Sequence, residues 1–147
     1  KFIMLSLIGI DETPMAKGKY KMGMDVYGKN ESYFRASIWR WPSILKLVSE
    51  ANEKENLGIQ LDGWQWNDGM GLSNQDDCDA LADALEKIVY PCKASTVFTA
   101  GGDDEGAAMG LQLSNALGLD ASFEADLGHV KEFISFLRNC GGAFAIW

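Results

Sequence analysis

Eight residues in two non-helical stretches have the types and spacing to do chemistry: Tyr33, Arg35, Trp39 and Trp41 in the first, Trp64, Trp66, Asn67 and Asp68 in the second. Tryptophan pairs offer flat apolar faces for a sugar or another ring, and Arg35, Asn67 and Asp68 can supply oriented hydrogen bonds. These eight form the candidate ligand-binding set. The competing reading is that the rings fill a core, with Arg35 pairing structurally to Asp68. Tryptophan buries well on average, so core filling is the commoner fate of such rings.

Other groups carry weaker chemistry. Gly101-Gly-Asp-Asp-Glu resembles the Gly-Gly-Asp-Glu-Phe signature of diguanylate cyclases, but the Phe is missing and the chain continues Gly-Ala-Ala-Met-Gly. A glycine turn before an acidic helix start explains the run without a cyclase. Asp68 to Asp76 lacks the alternating oxygen ligands and twelfth-position glutamate of a calcium loop. The glycines at Gly106 and Gly110 lack the Lys-Ser or Lys-Thr that completes a phosphate loop. His129, the one histidine, has Asp126 three residues before it and Glu132 three after. Those acids could tune a general base, yet a solvated helix flank explains them more simply. No cofactor or metal signature is read, and the catalytic residues of any enzyme stay unassigned.

The 147 residues carry 13 bases and 21 acids, a net charge of −8. A field of that sign repels phosphate backbones, which argues against nucleic acid as a partner. Cys78, Cys92 and Cys140 form no Cys-x-x-Cys pair and are odd in number, so they read as reduced thiols in a cytoplasmic protein. The apolar run Phe2–Ile10 is far short of the ~20 residues of a membrane span. Residues 1–21 are either an N-terminal extension or a swapped strand over Phe2–Ile8, or else a signal-peptide remnant after Lys1. The strand is the preferred reading. The length suits a single globular domain over 1–147.

Elements must position the candidates. Met24, Val26 and Tyr27 predict a short strand ended by Gly28, and the aromatic and β-branched run from Tyr33 to Trp41 a second strand or extended loop. Pro42, Ile44, Leu47, Val48 and Ala51 predict a helix. Ile59-Gln60-Leu61 reads as a short strand, and Trp64 and Trp66 as one face of another extended piece. Ser73 is the expected N-cap of a helix with Cys78, Leu81, Leu85, Ile88 and Val89 on its apolar stripe, stopped by Pro91. Ser95–Ala100 reads as a strand, Glu105–Leu117 as a helix, and Phe123, Leu127, Val130, Ile134 and Leu137 as the stripe of a last helix. Ala143–Trp147 completes a sheet. The order of elements, without repeated βαβ spacing, predicts an α+β fold: three to four helices packed on a small, mostly antiparallel sheet of short strands.

From Met22 onward the chain resembles a family of uncharacterised bacterial proteins. The resemblance rests on Met22-Gly-Met-Asp-Val-Tyr-Gly, Tyr33-Phe-Arg, Trp39-Arg-Trp-Pro, Asn67-Asp-Gly-x-Gly-Leu and Phe136-Leu-Arg-Asn-Cys-Gly-Gly, and thins between Thr96 and Phe123. That family has no assigned activity, so the resemblance implies no catalytic residue. It implies a bacterial protein whose start could be Met22 or Met24.

The expected function is a non-enzymatic module that binds a small molecule or a protein through the aromatic and polar patch. The alternative is a small Asp/Glu-dependent enzyme, conceivably a hydrolase, which would gather at least two of Asp25, Asp62, Asp68 and His129 in one cleft. A further alternative is an acidic inhibitor with evenly spaced exposed acids. No nucleic-acid or membrane partner is expected.

Overall fold

Alternation in Gly23–Gly28 decides the first strand. Met24 and Val26 turn inward and are buried, while Tyr27 faces out. In the computed structural model, which describes residues 23–104, 107–120 and 122–147, this strand (β1) pairs antiparallel with β2, Tyr33–Ser37. Their register sets Asp25 opposite Arg35 and Tyr27 opposite Tyr33. The hairpin turn is closed by Gly28 N–H on the Ser32 carbonyl at 2.8 Å.

Two helices follow. The first (α1, Trp41–Lys54) begins with Pro42 in its first turn, where a missing N–H costs nothing. The second (α2, Gln75–Val89) is capped one residue later than the sequence predicts: Asn74, not Ser73, accepts the Asp77 amide at 2.8 Å. Asparagine caps as well as serine, and here Asn74 also donates its side-chain amide to the Asp77 carboxylate at 2.9 Å, a second bond a serine could not make. Asp83 and Lys87 on α2 pair across elements, with Arg138 at 2.9 Å and Glu55 at 2.8 Å.

The expected strand at Ile59–Leu61 is absent. Ile59 instead gives both backbone groups to the Asn52 side chain, at 2.9 and 3.0 Å, so a side-chain amide does the work of a neighbouring strand. Nor are Trp64 and Trp66 on an extended piece. They sit in consecutive turns closed by Trp64 N–H on Leu61 O and Trp66 N–H on Gly63 O, with Trp64 buried and Trp66 half-buried.

Strand β3 (Val97–Gly101), helix α3 (Ala108–Leu117), strand β4 (Ser122–Asp126), helix α4 (Leu127–Asn139) and strand β5 (Phe144–Ile146) complete the chain. The predicted last helix starts later than its stripe suggested, because Phe123 and Ala125 alternate inward as a strand paired with β3. Phe123 and Leu127 share a helical spacing, but Asp126 between them caps α4 by accepting the His129 amide at 2.7 Å. Among the described residues none of the helices is long and apolar enough to cross a membrane. The expectations for Phe2–Ile8, for an alternative start at Met22 and for a helix beginning at Glu105 fall outside the described residues.

The fold is α+β, with a three-stranded antiparallel sheet in the order β2-β1-β5 and a two-stranded β3-β4 sheet. One face of the larger sheet presents Met24, Val26, Phe34, Ala36, Phe144 and Ile146, all buried in a core shared with α1, α2 and α4. A smaller cluster of Ala100, Ala107 and Phe123 packs with Trp39.

Candidate functional site

The same period of two that buries one sheet face turns the alternate side chains to the other. Its middle strand contributes Asp25 and Tyr27, flanked by Arg35 and Tyr33 on β2. On the other side Tyr27 opposes Ala145, and Asp25 exchanges backbone hydrogen bonds with Trp147 at 3.0 and 2.6 Å. Side chains of directly opposed residues project from the same face. Two cross-strand rows result: Arg35–Asp25–Trp147 and Tyr33–Tyr27–Ala145.

Asp25 is only 5 % exposed, yet it lies at the centre of this face. Its Oδ1 accepts from Arg35 Nη1 at 2.6 Å and from the Tyr33 hydroxyl at 2.5 Å. Burial and the hydrogen bond to Asp25 both push the Tyr33 phenol far above its ordinary range, so it remains a neutral donor. Burial is the largest single influence on Arg35 and would lower its pKa, but the hydrogen bond to Asp25, the Asp25 charge and Tyr33 together outweigh it and raise it. Around this pair stand three rings, Tyr27, Tyr33 and Trp147, at 46 %, 52 % and 48 % exposure. Tyr27 and Tyr33 lie 5.3 Å apart between centroids. Trp147 rests over Gly69, where an added Cβ would fall 2.8 Å from the indole carbons. That contact brings the turn with half-buried Asn67 and exposed Asp68 to the Trp147 end of the face.

Asp25 and Arg35 are unequal partners. Arg35 keeps 44 % of its side chain exposed, so water already satisfies part of it, whereas the nearly buried Asp25 holds two donors in place. Asp25→Asn is therefore expected to lose about 1–2 kcal/mol of stability in urea unfolding, and Arg35→Met less than about 1. Equal losses would show that the exposed guanidinium, not the buried carboxylate, anchors the pair.

The eight sequence candidates divide. Tyr33 and Arg35 stand on the outer sheet face. Trp41 and Trp64 are core residues, each 1 % exposed, joined by Trp41 Nε1 donating to the Trp64 carbonyl at 2.8 Å. Trp39 stacks on Phe123 at 6.2 Å in the smaller cluster. Trp66, Asn67 and Asp68 stand outside the sheet, in the turns just before Gly69, the residue that meets Trp147. The expected Arg35–Asp68 pair does not form; the sheet register gives Arg35 to Asp25. Four residues of the face were outside the sequence set: Asp25, Tyr27, Ala145 and Trp147. The alternation of β1 could have found Asp25 and Tyr27, but Trp147 needed knowledge that β5 joins β1.

The four groups proposed for an enzyme do not converge. Asp25 sits on the sheet face, Asp62 and Asp68 are exposed in turns, and His129 lies in the first turn of α4 against Phe34 at 5.0 Å. An open groove of about 590 Å³ is lined by Glu50, Glu53, Lys54 and Ile88. A second concavity of about 260 Å³ is lined by residues including Lys46, Gln65 and Asp104. None of the four lines either. The Gly101-Gly-Asp-Asp run is a turn: Asp104 accepts the Gly101 amide at 2.7 Å and lies 3.7 Å from Lys46. Among the described residues no group of three or more His, Cys, Asp and Glu is placed to hold a metal ion.

His129 has a structural consequence of its own. Its Nδ1 is 3.4 Å from Arg40 Nη1, which can only donate, so neutral His129 accepts at Nδ1 and carries its proton on Nε2. Burial and the Arg40 charge lower its pKa, against the smaller opposing pulls of Glu132, Asp126 and the Arg35 backbone. The unfolded chain, with a histidine pKa of about 6.5, then binds the proton more tightly than the folded one. Stability is present above about pH 6.5 and falls as pH drops toward the folded pKa. His129→Gln is expected to remove this part of the pH dependence, as measured by denaturant unfolding at pH 7.5 and pH 5.5.

Comparison with protein-family models, with characterised proteins and with solved structures returns no match.

Proposed function

We propose that the protein is a non-enzymatic binding module that engages another protein through the outer face of its β2-β1-β5 sheet. One observation carries this reading: Tyr27, Tyr33 and Trp147 stand half-exposed together on one sheet face, around an arginine already fixed by Asp25. Tyrosine, tryptophan and arginine are the residue types that dominate binding energy at protein interfaces. A flat face of this kind suits a protein partner better than a small molecule, which needs a concave pocket that buries most of its surface. The Arg35–Asp25 bond lowers the ordering cost of binding by fixing a long side chain in advance.

The resemblance to uncharacterised bacterial proteins enters the same proposal as a likeness of fold. The glycines of its Asn67-Asp-Gly-x-Gly-Leu motif both press against the last strand segment, Gly69 on Trp147 and Gly71 on Phe144, which is a structural reason for a glycine at each position.

The test compares the parent chain with the triple variant Tyr27→Ser, Tyr33→Ser, Trp147→Ser, whose native circular dichroism is checked first. Both are immobilised and exposed to extract of the source cells, and retained proteins are quantified by mass spectrometry. A partner that the parent retains and the variant loses by tenfold or more, and that binds the purified parent with a measurable Kd, supports the reading. Identical retained sets for both chains overturn it, as does a small molecule whose stabilisation of the parent survives in the variant.

A further inference from the structure

Two of the three cysteines, far apart in the chain, meet in the core. Cys78 lies in the first turn of α2 and Cys140 at the C-terminal cap of α4; both are fully buried and their sulfurs are 3.7 Å apart. A disulfide needs about 2.05 Å between sulfurs. Each Sγ would move less than about 1 Å to reach it, within the range of a small side-chain rotation. The helices that carry them already pack against each other. Cys92 is different: half-buried, it gives its thiol to the Ile88 carbonyl at 3.4 Å.

We infer that Cys78 and Cys140 form a convertible dithiol–disulfide site, closed by exchange with a small disulfide such as oxidised glutathione. The chemistry balances in two steps. One cysteine thiolate attacks the small disulfide, breaking its S–S bond, and releases one small thiol to leave a mixed disulfide. The second cysteine thiolate attacks the protein sulfur of that mixed disulfide, and the second small thiol leaves. Two protein thiols are oxidised, one small disulfide is reduced to two thiols, and the two cysteine protons end on the released thiols.

Access decides when this happens. In the folded chain burial, and then the neighbouring Cys140, push the Cys78 thiol up to about 12, so the attacking thiolate is scarce there. Conversion therefore proceeds through an opened or folding chain, and the closed bond is afterwards shielded from reductants. It would staple the start of α2 to the end of α4, just before the chain turns into β5. The site is independent of the sheet face and its proposed partner.

The experiment uses the full chain and its Cys92→Ser variant, unfolded and refolded in a glutathione redox buffer, then acid-quenched and alkylated. Peptide mapping without reduction is expected to find the Cys78–Cys140 link as the main product in both chains. The oxidised form is expected to keep a native circular dichroism spectrum and to melt about 5–10 °C above the same chain in dithiothreitol. A Cys140→Ala variant, folded or not, must lose the link. Mixed glutathione disulfides or free thiols as the main product would overturn the inference. So would a linked form that melts no higher than the reduced one.

Discussion

Gly71→Ala is expected to destabilise the protein by about 3 kcal/mol or more, a large penalty for one methyl group. An added Cβ would be driven into the Phe144 carbonyl oxygen and sit 2.8 Å from its carbonyl carbon. Both are main-chain atoms, so no flexible side chain can swing aside. Relief requires the 69–72 segment to move off β5, and that breaks a ladder of its own. Phe144 N–H donates to Leu72 O at 3.0 Å, Ile146 N–H to Met70 O at 2.8 Å, and Gly69 N–H to Ile146 O at 2.7 Å. Urea unfolding gives the magnitude, and amide exchange gives the place. The Phe144 and Ile146 amides are expected to lose protection, while those of α2 follow only the global change. A loss below about 1 kcal/mol would show that the two backbones separate easily.

Trp41→Ala is expected to cost about 3–5 kcal/mol, which lowers Tm by roughly 10–15 °C for a chain of this size. The indole is 1 % exposed, meets Phe133 edge-on at 5.8 Å and 90°, and donates to the Trp64 carbonyl. Removing it leaves a cavity and an unpaired buried acceptor together. Trp41→Phe keeps most of the volume but not the donor, so its cost is expected to fall between about 1 and 3 kcal/mol. This series separates packing from binding. If Trp41 variants lose partner binding only in proportion to their loss of fold, the residue is core. A Trp41→Phe variant that folds fully and still loses the partner would return Trp41 to the site.

Part of the fold and of the site is legible in the sequence. Helix α2 was legible because its apolar stripe repeats through four turns. Its cap was misplaced by one residue, since Ser73 and Asn74 are adjacent and both good caps. Phe123 was drawn into a helix because five residues with two inward side chains fit both periods. Only pairing with β3 decides between them. The site was half legible for a related reason. Residue type marked Tyr33 and Arg35, but Asp25 became their partner through strand register, which is a property of two segments and not of one. The same logic moved Trp41 and Trp64 from candidate site to core: nothing in their local spacing says which side of the chain the remaining elements cover.

Strand β1 stands in the middle of its sheet between a neighbour in sequence and one from the far end of the described chain. Its pairing with β2 needs only a short turn, while Val26 cannot meet Ile146 until nearly everything between them has been synthesised. Long-range pairings of this kind slow folding, because loop closure is paid in entropy before contacts reward it. On the ribosome the β1–β2 hairpin and the helices can therefore gather first, with β1 holding one bare edge. A bare edge is a template for any passing strand. Refolding at rising concentration should accordingly lose yield during the interval before residues 144–146 dock, and a chaperone that shields extended backbone should restore it.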